Sequence, residues 1–314
     1  MTLYFSAFAI CMAGVIGATG LPTTGPHKVD HIDQWNFAST PSRTVGIEIW
    51  HPHDRESGLF PLLLFSPGFG NKPSQYLSQL EDLASQGYVI AAVDHPVDVL
   101  NSFEARAVLW AQDIVSAKQE VLGSSSREII DSSKIGAFGH SLGGRAAAGS
   151  CLLDSSIRAC LNEDGSNDDV QLKRPYWPVE KRSFTGVFAM LDWFDPGLDD
   201  EDLRVMGRSR EQYAASRLEP SPEALNVYRA PIGGSVRITI LTPGMRHTAF
   251  TDDLWSAATS DTQRMRYANY LRHISTITLN FFHTALNTDN SLCGAAEKDT
   301  YTQCFSPTDD IAPR

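Results

Sequence analysis

The sequence KIGAFGHSLGGRAAA, residues 134–148, decides the fold of this chain. An apolar run from Ile135 to Phe138 leads into the pentapeptide GHSLG, and small residues suited to a closely packed helix follow it. This succession predicts a strand, a tight turn and a helix, the context in which G-x-S-x-G marks a nucleophile elbow. Glycine on either side of the serine avoids a clash with the neighbouring strand and helix. Ser141 is therefore the candidate nucleophile, and the alternative is a glycine-rich turn that carries an idle serine.

Buried strands and helical segments alternate on both sides of this elbow. The predicted strands are 44–50, 61–66, 88–93, 135–138, 158–162, 186–191 and 236–241, and the predicted helices are 74–86, 102–122, 199–218, 222–228 and 261–287. The alternation predicts an α/β fold with a doubly wound, mostly parallel sheet covered by helices on both faces. Ligands of such sheets bind at the carboxyl ends of the strands. The strand at 44–50 alternates apolar and polar residues and is predicted at the sheet edge, preceded by an extended segment over 21–42.

The composition indicates one α/β domain. The chain has 314 residues, of which 42% are hydrophobic and 20% charged, and no change of composition divides it. We predict a single domain over 21–290, with a less typical insertion or lid around 166–235 and a polar tail over 291–314. The net charge of −11 and the absence of a basic cluster argue against a nucleic-acid partner. The oligomeric state is not predictable from these features.

The N-terminal segment and the cysteines predict export. Residues 1–27 carry no charged side chain, and the apolar run within 1–20 resembles a signal peptide, too short for stable membrane insertion. Cys293 and Cys304 bracket the polar tail, which predicts a disulfide there in an oxidising compartment. Cys151 and Cys160 are interpreted either as a second disulfide or as two buried thiols. No zinc-ligand spacing is present, so no metal site is predicted.

His247 is the candidate base. A serine hydroxyl needs a base to take its proton and an acid to orient that base, and in folds with this elbow the order along the chain is Ser, acid, His. His247 follows the last predicted strand on a loop, where catalytic groups are often found. His95 lies at a strand end and is its rival, but it precedes the serine in the chain.

Two carboxylates remain open as the acid. Asp164 ends the strand after the elbow helix, and Asp192 ends the strand after that. Asp164 is followed by Gly165, which permits a sharp turn, and this favours Asp164. The neighbouring Glu163 is predicted to point to the opposite side of the sheet.

Two backbone N–H groups are candidates for an oxyanion hole. Leu142 follows the nucleophile and supplies the first donor. The loop after the strand at 61–66 supplies the second, with Phe69 as our choice and Gly68 as the alternative.

With these motifs in place, the chain resembles the platelet-activating factor acetylhydrolase-like group of α/β-hydrolases, whose relatives include dienelactone hydrolases and cutinase-like polyesterases. The resemblance spans about 61–252, and its motifs are FSPGFG (65–70), DLASQGYVIAAVDHP (82–96), GHSLGG (139–144), LNEDG (161–165) and RHTAFTD (246–252). Position by position, it implies Ser141 as nucleophile, Asp164 as acid and His247 as base, with Phe69 and Leu142 at the oxyanion hole. The chain departs from the group at Pro67, where relatives usually carry histidine.

The resemblance implies a serine esterase without metal or cofactor, acting on small-molecule esters that often carry short acyl groups, and the N-terminal segment and cysteines predict that it is secreted. The alternative is an acyltransferase, thioesterase or cyclase that uses the same residues on a specialised metabolite, suggested by the aromatic residues between 176 and 194. A third hypothesis, from another class, is a catalytically silent binding protein on this scaffold. A fluorophosphonate probe that reacts with activated serines separates the enzymes from the binding protein.

Overall fold

The computed structural model describes residues 20–54, 58–97, 102–165, 186–219, 234–287 and 299–305. These residues contain nine strands, which form one sheet in the order β1-β2-β4-β3-β5-β6-β7-β8-β9. The strands are β1 (Val29–Thr40), β2 (Arg43–Pro52), β3 (Phe60–Ser66), β4 (Val89–Asp94), β5 (Ile130–His140), β6 (Ala159–Glu163), β7 (Val187–Phe194), β8 (Ser235–Leu241) and β9 (Thr300–Phe305). Strands β3 to β8 are parallel, and β1, β2 and β9 are antiparallel to their neighbours.

Helices cover both faces of the sheet. They are α1 (Leu77–Ser85), α2 (Phe103–Gly123), α3 (Leu142–Leu153), α4 (Asp200–Val205), α5 (Arg210–Leu218), α6 (Asp253–Ser256) and α7 (Asp261–Asn287). Buried residues of α2 and α3 form one core with one face, and buried residues of α1 and α7 form a second core with the other. The predicted mostly parallel sheet with helices on both faces is therefore confirmed. Among the described helices, none has the length and apolarity needed to cross a membrane.

The prediction that the strand at 44–50 lies at the sheet edge was wrong. Strand β2 pairs with β4 on one side and with β1 on the other, so β1 is the edge strand. Sequence periodicity does not reveal β1, because a register shift between Ile32 and Trp35 interrupts the alternation of its apolar residues. At the opposite edge, β9 lies within the segment predicted to be a polar tail. It is held by main-chain pairing to β8, which needs no apolar pattern in the sequence.

The helix predicted over 199–218 is two helices. Gly207 adopts φ of 68°, a left-handed conformation that ends the helical path after α4. Ser209 then begins α5 as its N-cap, with its hydroxyl accepting from the N–H of Gln212. The predicted helix at 222–228 lies outside the described residues, as do most of the predicted signal peptide and residues 166–185 and 220–233 of the predicted insertion.

Two cysteines join the elbow helix to the next strand. Cys151, near the end of α3, and Cys160, in β6, form a disulfide with a Cα–Cα distance of 6.4 Å. Of the two interpretations left open by the sequence, the structure shows the bridge. Cys304 is also disulfide-bonded, while Cys293, its partner by prediction, lies outside the described residues.

Candidate active site

Ser141 stands at a strained turn between β5 and α3. Its backbone has φ of 56° and ψ of −120°, a conformation that a non-glycine residue rarely adopts. The flanking glycines are required by close approach of the chain. A Cβ at Gly139 would lie 2.4 Å from the carbonyl oxygen of Ser66, and one at Gly143 would lie 2.0 Å from it. The β3 end is thus packed directly against the elbow, and the strained serine is held at the carboxyl edge of the sheet.

Asp164 and His247 are hydrogen-bonded to each other at the same edge. Nδ1 of His247 donates to Oδ2 of Asp164 over 2.5 Å. Asp164 follows β6 directly and itself adopts a positive φ of 47°, which turns its side chain away from the strand path. The main-chain N–H of Ser141 donates to the carbonyl oxygen of Glu163 over 2.8 Å, so this turn lies beside the elbow. The side chain of His247 is 48% exposed, whereas that of Asp164 is 6% exposed.

Two further N–H groups lie close to the carboxylate of Asp164. Nε1 of Trp193 donates to Oδ2 over 2.6 Å, and the guanidinium of Arg217 lies 3.4 Å from Oδ1. The same guanidinium lies 4.4 Å from the centre of the Trp193 ring, an arrangement that favours a cation. The sequence analysis did not identify either residue as a partner of the acid. Arg217 belongs to α5, distant in sequence, and no local pattern connects it with Asp164.

Asp192 belongs to a different buried pair. Its Oδ2 accepts from Nε of Arg237 over 2.9 Å. Burial raises the pKa of Asp192 to about 6, although Arg237 acts in the opposite direction. Of the two carboxylates that the sequence leaves open, the structure brings Asp164 to the histidine and pairs Asp192 with an arginine.

In the loop after β3, one of the two candidate N–H groups is already hydrogen-bonded and the other is not. The N–H of Gly68 donates to the hydroxyl of Tyr76 over 3.0 Å. The N–H of Phe69 makes no hydrogen bond within the described part of the chain. Leu142 is the first residue of α3, so its N–H has no partner inside the helix. The N–H groups of Phe69 and Leu142 are therefore available as donors in this arrangement, whereas that of Gly68 is already engaged.

His140 is held in its neutral form beneath the histidine of the site. Its ring lies 4.4 Å from the ring of His247, and its Nδ1 lies 2.9 Å from the Tyr76 hydroxyl. Burial, together with the nearby His247, lowers the pKa of His140 to about 3. A neutral His140 contributes no positive charge that would repel a proton moving onto His247.

His95, the rival base, lies in another cluster. It bonds to Ser66 and Asp113 in the buried space between the end of β3 and α2. The structure therefore does not bring His95 together with Ser141.

The donor atoms of His140, Asp164 and His247 lie within 4.8 Å of one another, which is close enough for a metal ion. These groups are already engaged with one another or with Tyr76 and Trp193. A metal ion would have to displace the bond between Asp164 and His247, so the cluster fits a hydrogen-bond network better than a metal centre.

Comparison with known proteins places these features in context. The model of a family described as PET hydrolase-like matches residues 19–172. The chain is 34% identical over 125 residues to a probable 1-alkyl-2-acetylglycerophosphocholine esterase of Arthroderma benhamiae, covering 33% of this chain and 31% of that protein. It is 30% identical over 139 residues to a bis(hydroxyethyl) terephthalate hydrolase of Streptomyces coelicolor, covering 44% of this chain and 42% of that protein. The matches thus span less than half the length of either relative.

The fold is shared with a solved enzyme of low sequence similarity. A ferulic acid esterase from Streptomyces cinnamoneus superposes with a TM-score of 0.65, covering 91% of this chain and 99% of the esterase, at 18% identity. At this identity the likeness establishes the architecture.

Proposed function

We propose that this chain is a serine esterase that hydrolyses carboxylic esters, because it has an α/β-hydrolase fold and is similar to a PET hydrolase-like family over residues 19–172 and to the two ester-cleaving relatives over shorter stretches. The observation that carries the proposal is the hydrogen bond between Asp164 and His247 beside the strained Ser141. Fold alone does not fix the reaction, so the proposal rests on these side chains.

Each group has a defined task in the proposed reaction. Ser141 Oγ attacks the ester carbonyl while Nε2 of His247 accepts its proton, and Asp164 stabilises the imidazolium. The oxyanion that forms accepts hydrogen bonds from the N–H groups of Phe69 and Leu142. As the bond to the alcohol breaks, the alcohol takes the proton from His247, leaving an acyl group on Ser141. A water molecule then attacks this acyl group, its proton passes to His247 and on to Ser141 Oγ, and the carboxylic acid leaves.

The substrate proposed is a small ester with a short acyl group, as the resemblance implies. The names of the three similar proteins all specify ester bonds, and the groups named include acetyl, terephthalate and ferulic acid. We therefore propose testing acetyl esters, bis(hydroxyethyl) terephthalate and a feruloyl ester beside a series of longer acyl chains and a polyester film. Activity confined to the acetyl esters would support the short-acyl assignment.

Removal of the nucleophile tests the proposal. Ser141→Ala should abolish hydrolysis of p-nitrophenyl acetate and labelling by a fluorophosphonate, with the fold retained by circular dichroism. Ser150→Ala is the matched control, because Ser150 is buried in α3, the helix that follows Ser141, and among the described residues its hydroxyl bonds to a carbonyl of that helix. Retained activity in Ser141→Ala would refute the mechanism.

Acyl transfer, thioester cleavage or cyclisation has no specific support among the described residues. Trp193, one of the aromatic residues that suggested it, is 6% exposed, and its N–H donates to Asp164. Rapid fluorophosphonate labelling together with slow hydrolysis of every ester tested would favour this alternative. Failure to label the folded protein would favour the silent binding protein.

Export is part of the proposal as well. The disulfide between Cys151 and Cys160 supports an oxidising compartment. Detection of the protein in culture medium, with a shortened N-terminus by mass spectrometry, would test it.

A further inference from the structure

A second Ser-His-Asp arrangement lies beside the candidate active site. Oγ of Ser66 lies 2.8 Å from Nε2 of His95, and Nδ1 of His95 lies 2.8 Å from Oδ2 of Asp113. Arg43 donates to both carboxylate oxygens of Asp113, from Nε over 2.8 Å and from a terminal nitrogen over 2.7 Å. Burial alone would raise the pKa of Asp113, but hydrogen bonds from His95 and Arg43 hold it below its usual value. The ionised Asp113 accepts from Nδ1 of His95, so in the neutral ring Nε2 accepts from the Ser66 hydroxyl.

This arrangement cannot act on a substrate, because its three side chains are buried away from solvent. Ser66 and Asp113 have no exposed surface, and the side chain of His95 is 1% exposed. The ring of His95 stacks on that of Trp110 with centres 4.1 Å apart. A hydroxyl that no carbonyl can reach is not a nucleophile, so the cluster must have another use.

The position of Ser66 indicates that use. Ser66 is the last residue of β3 and directly precedes residues 67–71, which we call the oxyanion loop because they include Phe69. The chain at Ser66 and Pro67 lies against the elbow helix, where a Cβ at Gly143 would be 2.4 Å from the Pro67 oxygen. Pro67 has no N–H with which to anchor the loop itself. The side chain of Ser66 therefore fixes the loop at its beginning.

Tyr76 fixes the same loop two residues further on, at Gly68. Its hydroxyl accepts from the N–H of Gly68 over 3.0 Å and from Nδ2 of Asn71 over 3.2 Å. It lies 2.9 Å from Nδ1 of His140, to which it donates because its two lone pairs already accept from Gly68 and Asn71. A phenol hydroxyl has one proton and two lone pairs, and all three are used here. Tyr76 thus joins Gly68 and Asn71 of the loop to His140, the residue that precedes the nucleophile.

We propose that Tyr76 and His95 are positioning residues that lock the oxyanion loop from its two sides, so that the N–H of Phe69 is fixed toward the oxyanion before the reaction begins. This proposal rests on the proposed esterase function for its catalytic meaning. Donors fixed in advance stabilise a developing oxyanion without a cost of reorganisation during the reaction. A displacement of about 1 Å at such a donor lowers the rate by roughly a hundredfold.

Two variants remove the hydroxyl groups that anchor the loop. Tyr76→Phe removes the hydroxyl that holds Gly68, and Ser66→Ala removes the hydroxyl that His95 holds. The controls are Tyr88→Phe and Ser150→Ala. The Tyr88 hydroxyl is buried without a partner among the described residues, and Ser150 bonds only within its own helix. The controls lose the same atoms from equally buried sites, so any general loss of packing is common to both sets.

The first measurement does not depend on activity. Hydrogen exchange followed by mass spectrometry should show faster exchange in peptides covering 66–71 for Tyr76→Phe and Ser66→Ala than for the controls. The second measurement is steady-state hydrolysis of p-nitrophenyl acetate. We expect kcat to fall by about tenfold to a hundredfold in Tyr76→Phe, with KM within about threefold, because the donor acts on the transition state. The fall in Ser66→Ala should be smaller, since β3 pairing also holds that residue.

The results distinguish this proposal from the proposed function. Unchanged exchange over 66–71 in both variants would overturn the anchoring, whatever the activity. Faster exchange with kcat equal to that of the controls would overturn the positioning role. A wild-type protein that neither hydrolyses esters nor reacts with the fluorophosphonate would refute the esterase, while the exchange measurement would still decide whether the loop is locked.

Discussion

Oδ2 of Asp164 lies 2.5 Å from Nδ1 of His247, although 83 positions separate the two residues in the chain. Asp192, the other candidate acid, bonds to Arg237 instead. The two carboxylates thus differ in their partner and not in their burial, since Asp164 is 7% exposed and Asp192 is 2% exposed. A pair of isosteric substitutions can therefore separate their roles.

We expect Asp164→Asn to lower kcat by roughly 10⁴-fold with the fold intact, since the histidine would lose its orienting carboxylate. Asp192→Asn should instead lower stability, because it leaves the buried charge of Arg237 without an opposite charge, a loss of about 3–5 kcal/mol. Ester hydrolysis and urea unfolding of both variants provide the measurements. A larger loss of kcat in folded Asp192→Asn than in Asp164→Asn would reverse the assignment.

Trp193→Phe tests whether the indole N–H supports the acid. Its hydrogen bond to Asp164 joins a donor to an ionised group, which corresponds to about 1.5–3 kcal/mol. We expect kcat to fall by about tenfold or more, with little change in KM. Trp50→Phe is the control, because Trp50 is also buried but lies on β2. Equal kcat values for the two variants would show that the N–H does not assist Asp164.

The elements of the fold that were predicted correctly are those whose pattern of apolar residues or glycines is visible in a short stretch of the sequence. The apolar run before the elbow, the closely spaced glycines and the 27-residue helix α7, which the sequence places at 261–287, need no information from distant residues. Edge strands β1 and β9 lack such a signal. One is interrupted by a register shift and the other is held by main-chain bonds, so neither shows a regular alternation.

The order of the candidate residues along the chain allowed part of the site to be predicted. The order Ser, acid, His selects His247 over His95, but it leaves Asp164 and Asp192 equivalent. What separates them is the direction of each side chain, which depends on the positive φ of Asp164 and on Arg237 beside Asp192. Tyr76 was missed for the same reason, since its partners are His140, 64 positions away, and main-chain groups of a loop.

The disulfide between Cys151 and Cys160 should stabilise the protein measurably. It closes a loop with a sequence separation of 9, for which the loss of chain entropy in the unfolded state corresponds to about 2–3 kcal/mol. We expect the double variant Cys151→Ala, Cys160→Ala to unfold at lower urea concentration than the wild type by this free energy. Each single variant should be destabilised to a similar extent, because either one removes the bridge. Additive losses in the double variant would indicate lost packing in place of a lost crosslink.

Glu163 should make the stability of the protein fall as the pH rises. The side chain is fully buried between β6 and the helices α1 and α7, where Oε1 accepts from Gln79 over 2.6 Å and from Thr278 over 2.7 Å. Among the described residues, no partner is found for Oε2, and no cation bonds to the carboxylate. Burial therefore raises the pKa of Glu163 to about 7 from an ordinary value of 4.5. Between these two values the folded state keeps a proton that the unfolded state has released.

Because the folded state binds more protons than the unfolded state over this range, the free energy of unfolding falls as the pH rises. The stability associated with protonated Glu163 is fully present below pH 4.5 and is lost as the pH rises through about 7, by a total on the order of 3 kcal/mol. Glu163→Gln carries no charge at any pH and should remove this loss. Its free energy of unfolding relative to the wild type should rise between pH 5 and pH 8, about where the carboxylate ionises. Glu128→Gln, at an exposed position, is the control and should show no such rise. A pH-independent difference between Glu163→Gln and the wild type would mean that the carboxyl ionises alike in the folded and unfolded states.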